Sequence, residues 1–232
     1  MSLSADLYSA DISRRYAASL KYESEHPGIV DTWPRGCWGA ANGWLMLCGP
    51  SPGKEDTADN MWSGGPGRPI DEKVRIGHDA GRINFAANSA RNARWRKLAS
   101  SACGSEDIAN CLTAVANLDW GHYPDHRKIP QDYLRDGCHT VLEIMRKCKP
   151  RVVITLVKIT WNYLSDYLDQ FCVSEALTSD EYSLQVRIVH LPGCLHKTLL
   201  LKSPQHPSRP FFTDAHCLNI KKTVERFLDE YP

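Results

Sequence analysis

The chain has 232 residues, of which 42% are hydrophobic and 24% charged, and this length and composition are typical of one globular domain with a sizeable core. The formal net charge is +1, which excludes a protein that is basic overall and leaves only local basic patches for binding nucleic acid. The nine cysteines are an odd number and include no C-x-x-C pair, so neither a disulfide framework nor a compact zinc knuckle is expected.

The first 20 residues carry charges among their apolar residues, and the sequence has no run of 18 apolar residues. We therefore expect neither a signal peptide nor a membrane-spanning helix. We expect a cytoplasmic protein with reduced thiols, since disulfides form in oxidising compartments, and we expect a monomer.

The predicted elements alternate between helices and short apolar strands. In chain order they are an N-terminal helix at about 6–25, a strand at 44–48, a long irregular segment at 49–85, a helix at about 86–101, a strand at 112–118, a helix at 131–148, a strand at 151–157, a helix at 159–171, a strand at 186–191 and a helix at 213–231. Continuous apolar strands between helices are typical of a parallel sheet covered on both faces. The sequence therefore predicts a single domain over 1–232, a three-layer α/β/α sandwich with a central four-stranded parallel sheet.

Three polar loops follow predicted strands. The first is Gly49-Pro-Ser-Pro-Gly53-Lys-Glu-Asp56, the second is Asn117-Leu-Asp-Trp-Gly-His-Tyr-Pro124, and the third extends from 191 to 210. Ligands of such sheets bind at the carboxyl ends of the strands. We therefore expect the three loops to meet in one crevice.

These loops contain motifs that resemble those of the uracil-DNA glycosylase superfamily. Gly49-Pro-Ser-Pro-Gly53 resembles its G-x-x-P-G motif at a strand end, and His206-Pro-Ser208 resembles its late H-P-S motif. Ala116-Asn117-Leu-Asp with the later Pro124, and Lys149-Pro-Arg-Val-Val-Ile-Thr-Leu156, resemble two segments of the iron–sulfur branch. The resemblance covers about residues 43–212 in matching order. It implies the fold of that superfamily and the excision of a base from DNA.

The resemblance implies a role for each residue at the substrate. Asn117 would read the edge of a flipped-out pyrimidine, since its amide offers two donor hydrogens and an acceptor. His206 would donate a hydrogen bond to the base as negative charge develops during C–N cleavage. Gly49, Pro50 and Gly53 would form a stiff loop that approaches the base and sugar closely.

Further residues are expected to contact DNA. By resemblance, Ser208 and the backbone near it would hold a phosphate, and Arg209 lies where the family's loop enters the duplex. Lys54 and Lys202 are expected at the DNA backbone as well. Trp62 or Phe85 is a candidate for stacking on the flipped base.

The chain departs from the family inside the first motif. Relatives carry Asn, Asp or Glu there, whereas this chain has Pro50 and Ser51. We expect Asp56 or Glu55, with Asp56 preferred, to supply a carboxylate that supports the cation-like sugar and orients water, assisted by Ser51. The cysteine spacing of the iron–sulfur branch is missing, so no cluster, metal or other cofactor is expected.

Two questions stay open at this stage. The first concerns the substrate, which is either uracil in repair or a modified pyrimidine such as those of phage DNA. The arginine-rich insertion at about 60–98 would hold phosphates or line a pocket for a bulky base. Its arginines are Arg68, Arg75, Arg82, Arg91, Arg94 and Arg96. The alternative function is a catalytically inactive module that binds DNA or a modified base. A nucleotide-binding enzyme is disfavoured because Gly49 to Lys54 lacks the spacing of a phosphate loop.

Overall fold

The structure is a computed structural model. It describes residues 37–39, 43–51, 90–105, 108–109, 113–119, 125–174, 184–207 and 209–232. The predicted N-terminal helix at about 6–25 lies outside these ranges, as does the part of the arginine-rich insertion before residue 90.

Eleven helices and strands make up the described part of the chain, joined in places by short 3₁₀ turns. They are β1 (Cys37–Gly39), β2 (Leu45–Gly49), α1 (Ala90–Cys103), β3 (Thr113–Asn117), α2 (Gln131–Cys148), β4 (Val152–Thr155), α3 (Lys158–Leu168), β5 (Cys172–Ser174), β6 (Val186–Val189), β7 (Thr198–Lys202) and α4 (Asp214–Glu230). Among them, no helix has the length and apolarity that crossing a membrane requires.

The described strands form one mixed seven-stranded sheet in the order β1-β3-β2-β4-β7-β6-β5. The four middle strands, β3, β2, β4 and β7, run parallel to one another. The remaining strands are antiparallel to their neighbours, β1 at one edge and β6 with β5 at the other. The protein is therefore α/β, with helices on both sides of a mixed sheet.

The prediction of a four-stranded parallel sheet is wrong in two respects. The described sheet has seven strands, and its fourth parallel strand is not the predicted one. The predicted strand at 186–191 exists as β6, but it runs antiparallel to β7. The last parallel strand is β7, a segment that the sequence interpretation placed in a loop. β7 is a short run of buried apolar residues, which is the pattern of a strand covered on both faces.

Each face of the sheet carries its own apolar core, because alternate residues of a strand point to opposite sides. On one face, Met46 and Ala116 pack with apolar residues of α2 and α3. On the other, Leu47 and Val115 pack with apolar residues of α1 and α4. Two helices on each face complete the three-layer sandwich that the sequence predicts.

Helix α2 approaches the end of β3 closely at Gly137. A Cβ atom at this position would lie 1.8 Å from the carbonyl oxygen of Leu118 and 2.6 Å from its carbonyl carbon. These are backbone atoms, so they cannot move aside as a side chain would. The glycine therefore lets α2 support the segment that directly follows Asn117.

We expect Gly137→Ala to destabilise the fold by about 2 kcal/mol or more through overpacking, despite the better helix propensity of alanine. Urea unfolding would measure this loss. Gly104→Ala is the matched control: Gly104 has φ +86° and nothing within 4 Å of its would-be Cβ, so only backbone strain of about 1 kcal/mol is expected. Equal losses in the two variants would contradict the close approach of α2.

Candidate functional site at the carboxyl edge of the sheet

The loops after β2 and β3 are joined by backbone hydrogen bonds where the two strands end. The Leu118 N–H donates to the Gly49 carbonyl at 3.0 Å, and the Asp119 N–H donates to the Pro50 carbonyl at 2.9 Å. The first predicted loop and the Asn117 loop therefore lie side by side. Ser51 follows Pro50 and is half-buried.

Gly49 lies against the amide of Asn117. The two residues are register partners in the parallel pair of β2 and β3. A Cβ atom at position 49 would lie 2.5 Å from Asn117 Oδ1, which is closer than non-bonded atoms approach. Asn117 is itself buried, with 8% of its surface exposed. The glycine of the first motif thus provides the space that the Asn117 side chain occupies.

The loop after β7 belongs to the same edge. The Ser203 N–H donates to the Thr155 carbonyl at 2.8 Å, which connects this loop to the end of β4. The Ser203 hydroxyl donates to the Gln205 carbonyl at 2.6 Å. The Arg209 N–H also donates to the His206 carbonyl at 2.9 Å.

His206 is half-buried against Trp95 of α1. The two ring centroids are 5.3 Å apart and the ring planes lie at 84°, an edge-to-face contact of the kind that aromatic rings favour. The pKa of His206 is lowered from its ordinary value to about 4, mainly by burial and in smaller part by the nearby Arg209 and His126. The imidazole is therefore neutral at physiological pH, with one nitrogen as donor and the other as acceptor.

Basic side chains surround this edge. Arg94 Nη1 donates to the Arg209 carbonyl at 2.9 Å, which attaches α1 to the loop after β7. Lys202, at the end of β7, donates to Gln185 Oε1 at 2.9 Å. Burial lowers the pKa of Lys202, and the positive charge of Lys158 at the start of α3 lowers it further. Positive charge is thus concentrated here although the net charge of the chain is +1.

The third predicted loop is divided by β7, so only its second half reaches the carboxyl edge. Its first half joins β6 to β7 at the opposite edge of the sheet. There His196 Nε2 lies 3.0 Å from the Lys149 carbonyl, just before β4 begins. The expectation that all of 191–210 meets the other two loops is therefore wrong for the segment before Thr198.

The predicted site residues divide into two groups. The first group lies in the loops or at the strand ends of the carboxyl edge and consists of Gly49, Pro50, Ser51, Asn117, Lys202, His206 and Arg209. The others lie outside the described residues, so their predicted roles stay predictions: Gly53, Lys54, Glu55, Asp56, Trp62 and Ser208.

The sequence interpretation missed four residues of this edge. Trp95 and His126 lie near His206, Lys158 lies near Lys202, and Asp119 is buried beside the first loop. For Asp119 and Lys158 a signal existed, since both are polar residues directly after a predicted strand. The contact of Trp95 with His206 joins residues more than one hundred positions apart, so no local sequence pattern predicts it.

A separate cavity of about 500 Å³ lies between α2 and α3. Its lining contains none of the predicted site residues; it consists of Asp136, His139, Leu142, Glu143, Arg146, Tyr167, Gln170 and Phe171. Within the described ranges, no group of three His, Cys, Asp or Glu side chains is arranged to hold a metal ion.

No protein-family model matches the chain, and no curated protein matches it. The interpretation of this edge therefore depends on its own residues and geometry.

We expect the His206 imidazole to titrate near pH 4 in the folded protein. Since this pKa is lower than that of a histidine in the unfolded chain, about 6.5, protonation favours unfolding, and stability falls as the pH decreases from about 6.5 to about 4. Proton NMR would follow the imidazole resonance that is missing from His206→Gln. A midpoint near 6.5 for that resonance would contradict the burial of His206.

Proposed function

We propose that this chain is a DNA glycosylase of the uracil-DNA glycosylase type. It would hydrolyse the N-glycosidic bond of a flipped-out uracil or modified pyrimidine and leave an abasic site. The observation that carries the proposal is that Gly49 lies against Asn117 and that His206 follows another strand at the same edge of the sheet. Their motifs are separated in the sequence, yet the strand ends bring all three to the place where α/β proteins bind ligands.

Asn117 suits recognition of a base. Its amide carries two donor hydrogens and one acceptor, enough to pair with the edge of a pyrimidine. Burial of Asn117 restricts its amide, so little side-chain freedom is left to lose when the base enters. A flipped base read in this way matches the general strategy of enzymes that act on single bases in DNA.

His206 suits stabilisation of the departing base. When the C1′–N bond breaks, the electron pair stays with the base, and negative charge spreads to its oxygen atoms. A neutral imidazole fixed beside this charge can donate a hydrogen bond to it through its one N–H. The positive charge of Arg209, close enough to lower the pKa of His206, would stabilise the same anion.

The basic residues of this edge suit the DNA backbone. Arg209 is exposed. Lys158 lies close enough to Lys202 for its positive charge to lower the pKa of Lys202. A phosphate near both ammonium groups would relieve their repulsion, and contacts of this kind supply most of the sequence-independent affinity for DNA. Ser208 is proposed as a further phosphate contact by resemblance.

The remaining requirement is a group that supports the cation-like sugar and the attacking water. The sequence interpretation assigns it to Asp56 or Glu55, with Ser51 near the water. The proposed reaction is a hydrolysis in which water is the nucleophile, so the proposal includes no cofactor. The proposed substrate is either uracil or a bulky modified pyrimidine of phage DNA, because the arginine-rich insertion would either hold phosphates or line an enlarged pocket.

A second candidate function is supported by one observation. The first motif has Pro50 and Ser51 where relatives carry an amide or carboxylate, and no side chain of that chemistry stands between Gly49 and Gly53. A chain without the catalytic group would bind DNA or a modified base and release nothing. The two functions differ in one measurable product, the abasic site.

We expect Asn117→Ala and His206→Ala each to slow base release by about 100-fold or more, the usual cost of removing a hydrogen bond made in the transition state. DNA affinity should change by no more than about threefold, because phosphate contacts dominate it. Alkali cleavage of labelled duplexes containing one uracil or one 5-hydroxymethylcytosine would give the single-turnover rate, and fluorescence anisotropy would give the affinity.

Asn162→Ala and His190→Ala are the matched controls. Both residues are exposed; Asn162 lies on α3, and His190 lies at the opposite edge of the sheet. They should keep the wild-type rate and affinity. Parallel losses of rate and affinity in the Asn117 and His206 variants would reject the roles assigned to these residues.

A further inference from the structure

Trp95 contacts the imidazole of His206, and the mechanism above gives this tryptophan no task. It lies on α1, close to the end of the arginine-rich insertion. The two rings meet edge to face, with their centroids 5.3 Å apart and their planes at 84°. Aromatic rings prefer this arrangement to other mutual orientations. The contact therefore favours one orientation of the His206 ring.

The position of Trp95 is fixed by the core. Leu98, Ala99 and Ala102 follow it by three, four and seven residues, which places all four on one face of α1. The three later residues are buried between α1, α4 and the sheet, and the indole of Trp95 packs against the same core. Side chains on an anchored helix are placed more precisely than side chains on loops. The indole is thus a rigid support.

The segment from His206 to Asp214 is held against α1 at two further points. Arg94 Nη1 donates to the Arg209 carbonyl at 2.9 Å. Lys97 pairs with Asp214 at the start of α4, and because this ion pair is exposed it adds little stability. The two contacts flank Trp95 in the sequence, so the ring contact with His206 lies between them.

His206 needs such a support for the role proposed above. The torsion that turns an imidazole about its Cβ–Cγ bond has broad minima, so the ring alone would sample a range of orientations. A hydrogen bond weakens steeply as it bends, and only an N–H that is aimed at the base can stabilise negative charge there. A ring held in one orientation avoids this loss.

We propose that Trp95 is a positioning residue for His206. Its indole holds the imidazole in the orientation that donates to the departing base, and it keeps water from one side of that ring. The inference rests on the proposed glycosylase function and deepens it, since it connects α1 to the chemistry at the carboxyl edge. Trp95 acts through His206 and has no contact of its own with the base or the sugar.

The ionisation of His206 agrees with this shielding. Burial is the largest cause of its lowered pKa, followed by the positive charges of Arg209 in its own loop and His126 in the short turn before α2. On α1, Arg94 donates to the backbone of the same loop. Removal of the indole would expose the ring to water and leave these cations in place. Trp95→Ala should therefore raise the pKa of His206 from about 4 toward its ordinary value.

The first experiment is a pH titration of the full-length protein by proton NMR, with the His206 resonance assigned from its absence in His206→Gln. Trp95→Ala should raise the pKa of His206 by about 1 or more, and Trp95→Phe, which keeps an aromatic ring, should raise it by less than half as much. Trp95→Leu keeps more apolar volume and replaces the alanine variant if that variant is unfolded; the same direction is expected. An unchanged pKa in the folded variant would overturn the proposal.

The second experiment is a double-mutant cycle between Trp95→Leu and His206→Ala. It measures single-turnover base release from a labelled duplex with one uracil or one 5-hydroxymethylcytosine, whichever the wild type cleaves faster. Trp95→Leu should slow release by about tenfold or more when His206 is present, because a misplaced group loses much of its effect. When His206 is already alanine, the same change should cost no more than about twofold. DNA affinity should stay within about threefold throughout.

Trp44→Leu is the matched control. Like Trp95, Trp44 is half-buried against the core that α1 and α4 share, but it stands just before β2, at the opposite edge of the sheet. The substitution should destabilise the fold in urea, because it removes a large ring from the same core. It should leave the pKa of His206 unchanged and the rate of base release within about twofold of the wild type.

The outcomes separate this proposal from the proposed function. Equal slowing by Trp95→Leu with and without His206, or an equally large loss of rate in Trp44→Leu, would show that Trp95 acts only through the stability of the fold. Either result would overturn the positioning role and leave the glycosylase function intact. If the wild type releases no base from either duplex, the proposed function fails, and the catalytic role of Trp95 fails with it.

Discussion

The whole site depends on one steric constraint, the contact between Gly49 and the Asn117 amide. The parallel register of β2 and β3 makes these residues partners, and the space at position 49 is filled by the amide oxygen. A larger residue at position 49 would displace the group proposed to read the base. The constraint extends outward, because Leu118 and Asp119 continue the pairing with the first loop and Gly137 lets α2 press on the same segment.

The carboxyl edge carries several positive side chains even though the net charge of the chain is only +1. The neighbouring charges of Lys158 and Lys202, and those near His206, would repel each other less if an anion were bound. Burial is the main cause of the lowered pKa values of Lys202 and His206, and the neighbouring positive charges lower both further, so this arrangement is unfavourable in the free protein. A polyanion such as DNA would compensate it, and the neutral His206 remains available as a hydrogen-bond donor.

Much of the architecture was predictable from the sequence. The apolar runs at β2, β3 and β4 and the helical spacing of α2, which was predicted at 131–148 and spans Gln131–Cys148, are local signals that burial on both faces produces. The antiparallel direction of β6 was not predictable, because an apolar run carries no information on its direction. β7 was overlooked because the whole segment from 191 to 210 was interpreted as one loop, without another strand in it.

The site was predictable only where a motif marks it. Gly49, Asn117 and His206 stand in recognisable motifs at strand ends, and the fold brings their segments to one edge. Trp95 and Asp119 carry no such mark: the first reaches His206 through the packing of α1, and the second is buried where its N–H bonds to Pro50. These properties arise only when distant segments pack together.

The most direct test of the account is mass spectrometry of the small molecules that the wild-type protein releases from DNA. The substrates would be uracil-containing, deaminated and methylated DNA and phage genomes with their natural modified bases. The account predicts a free base from at least one of them, in an amount equal to that of the alkali-sensitive abasic sites left in the same DNA. Tight binding to these DNAs with no base released from any of them would contradict it and would favour the inactive binding module.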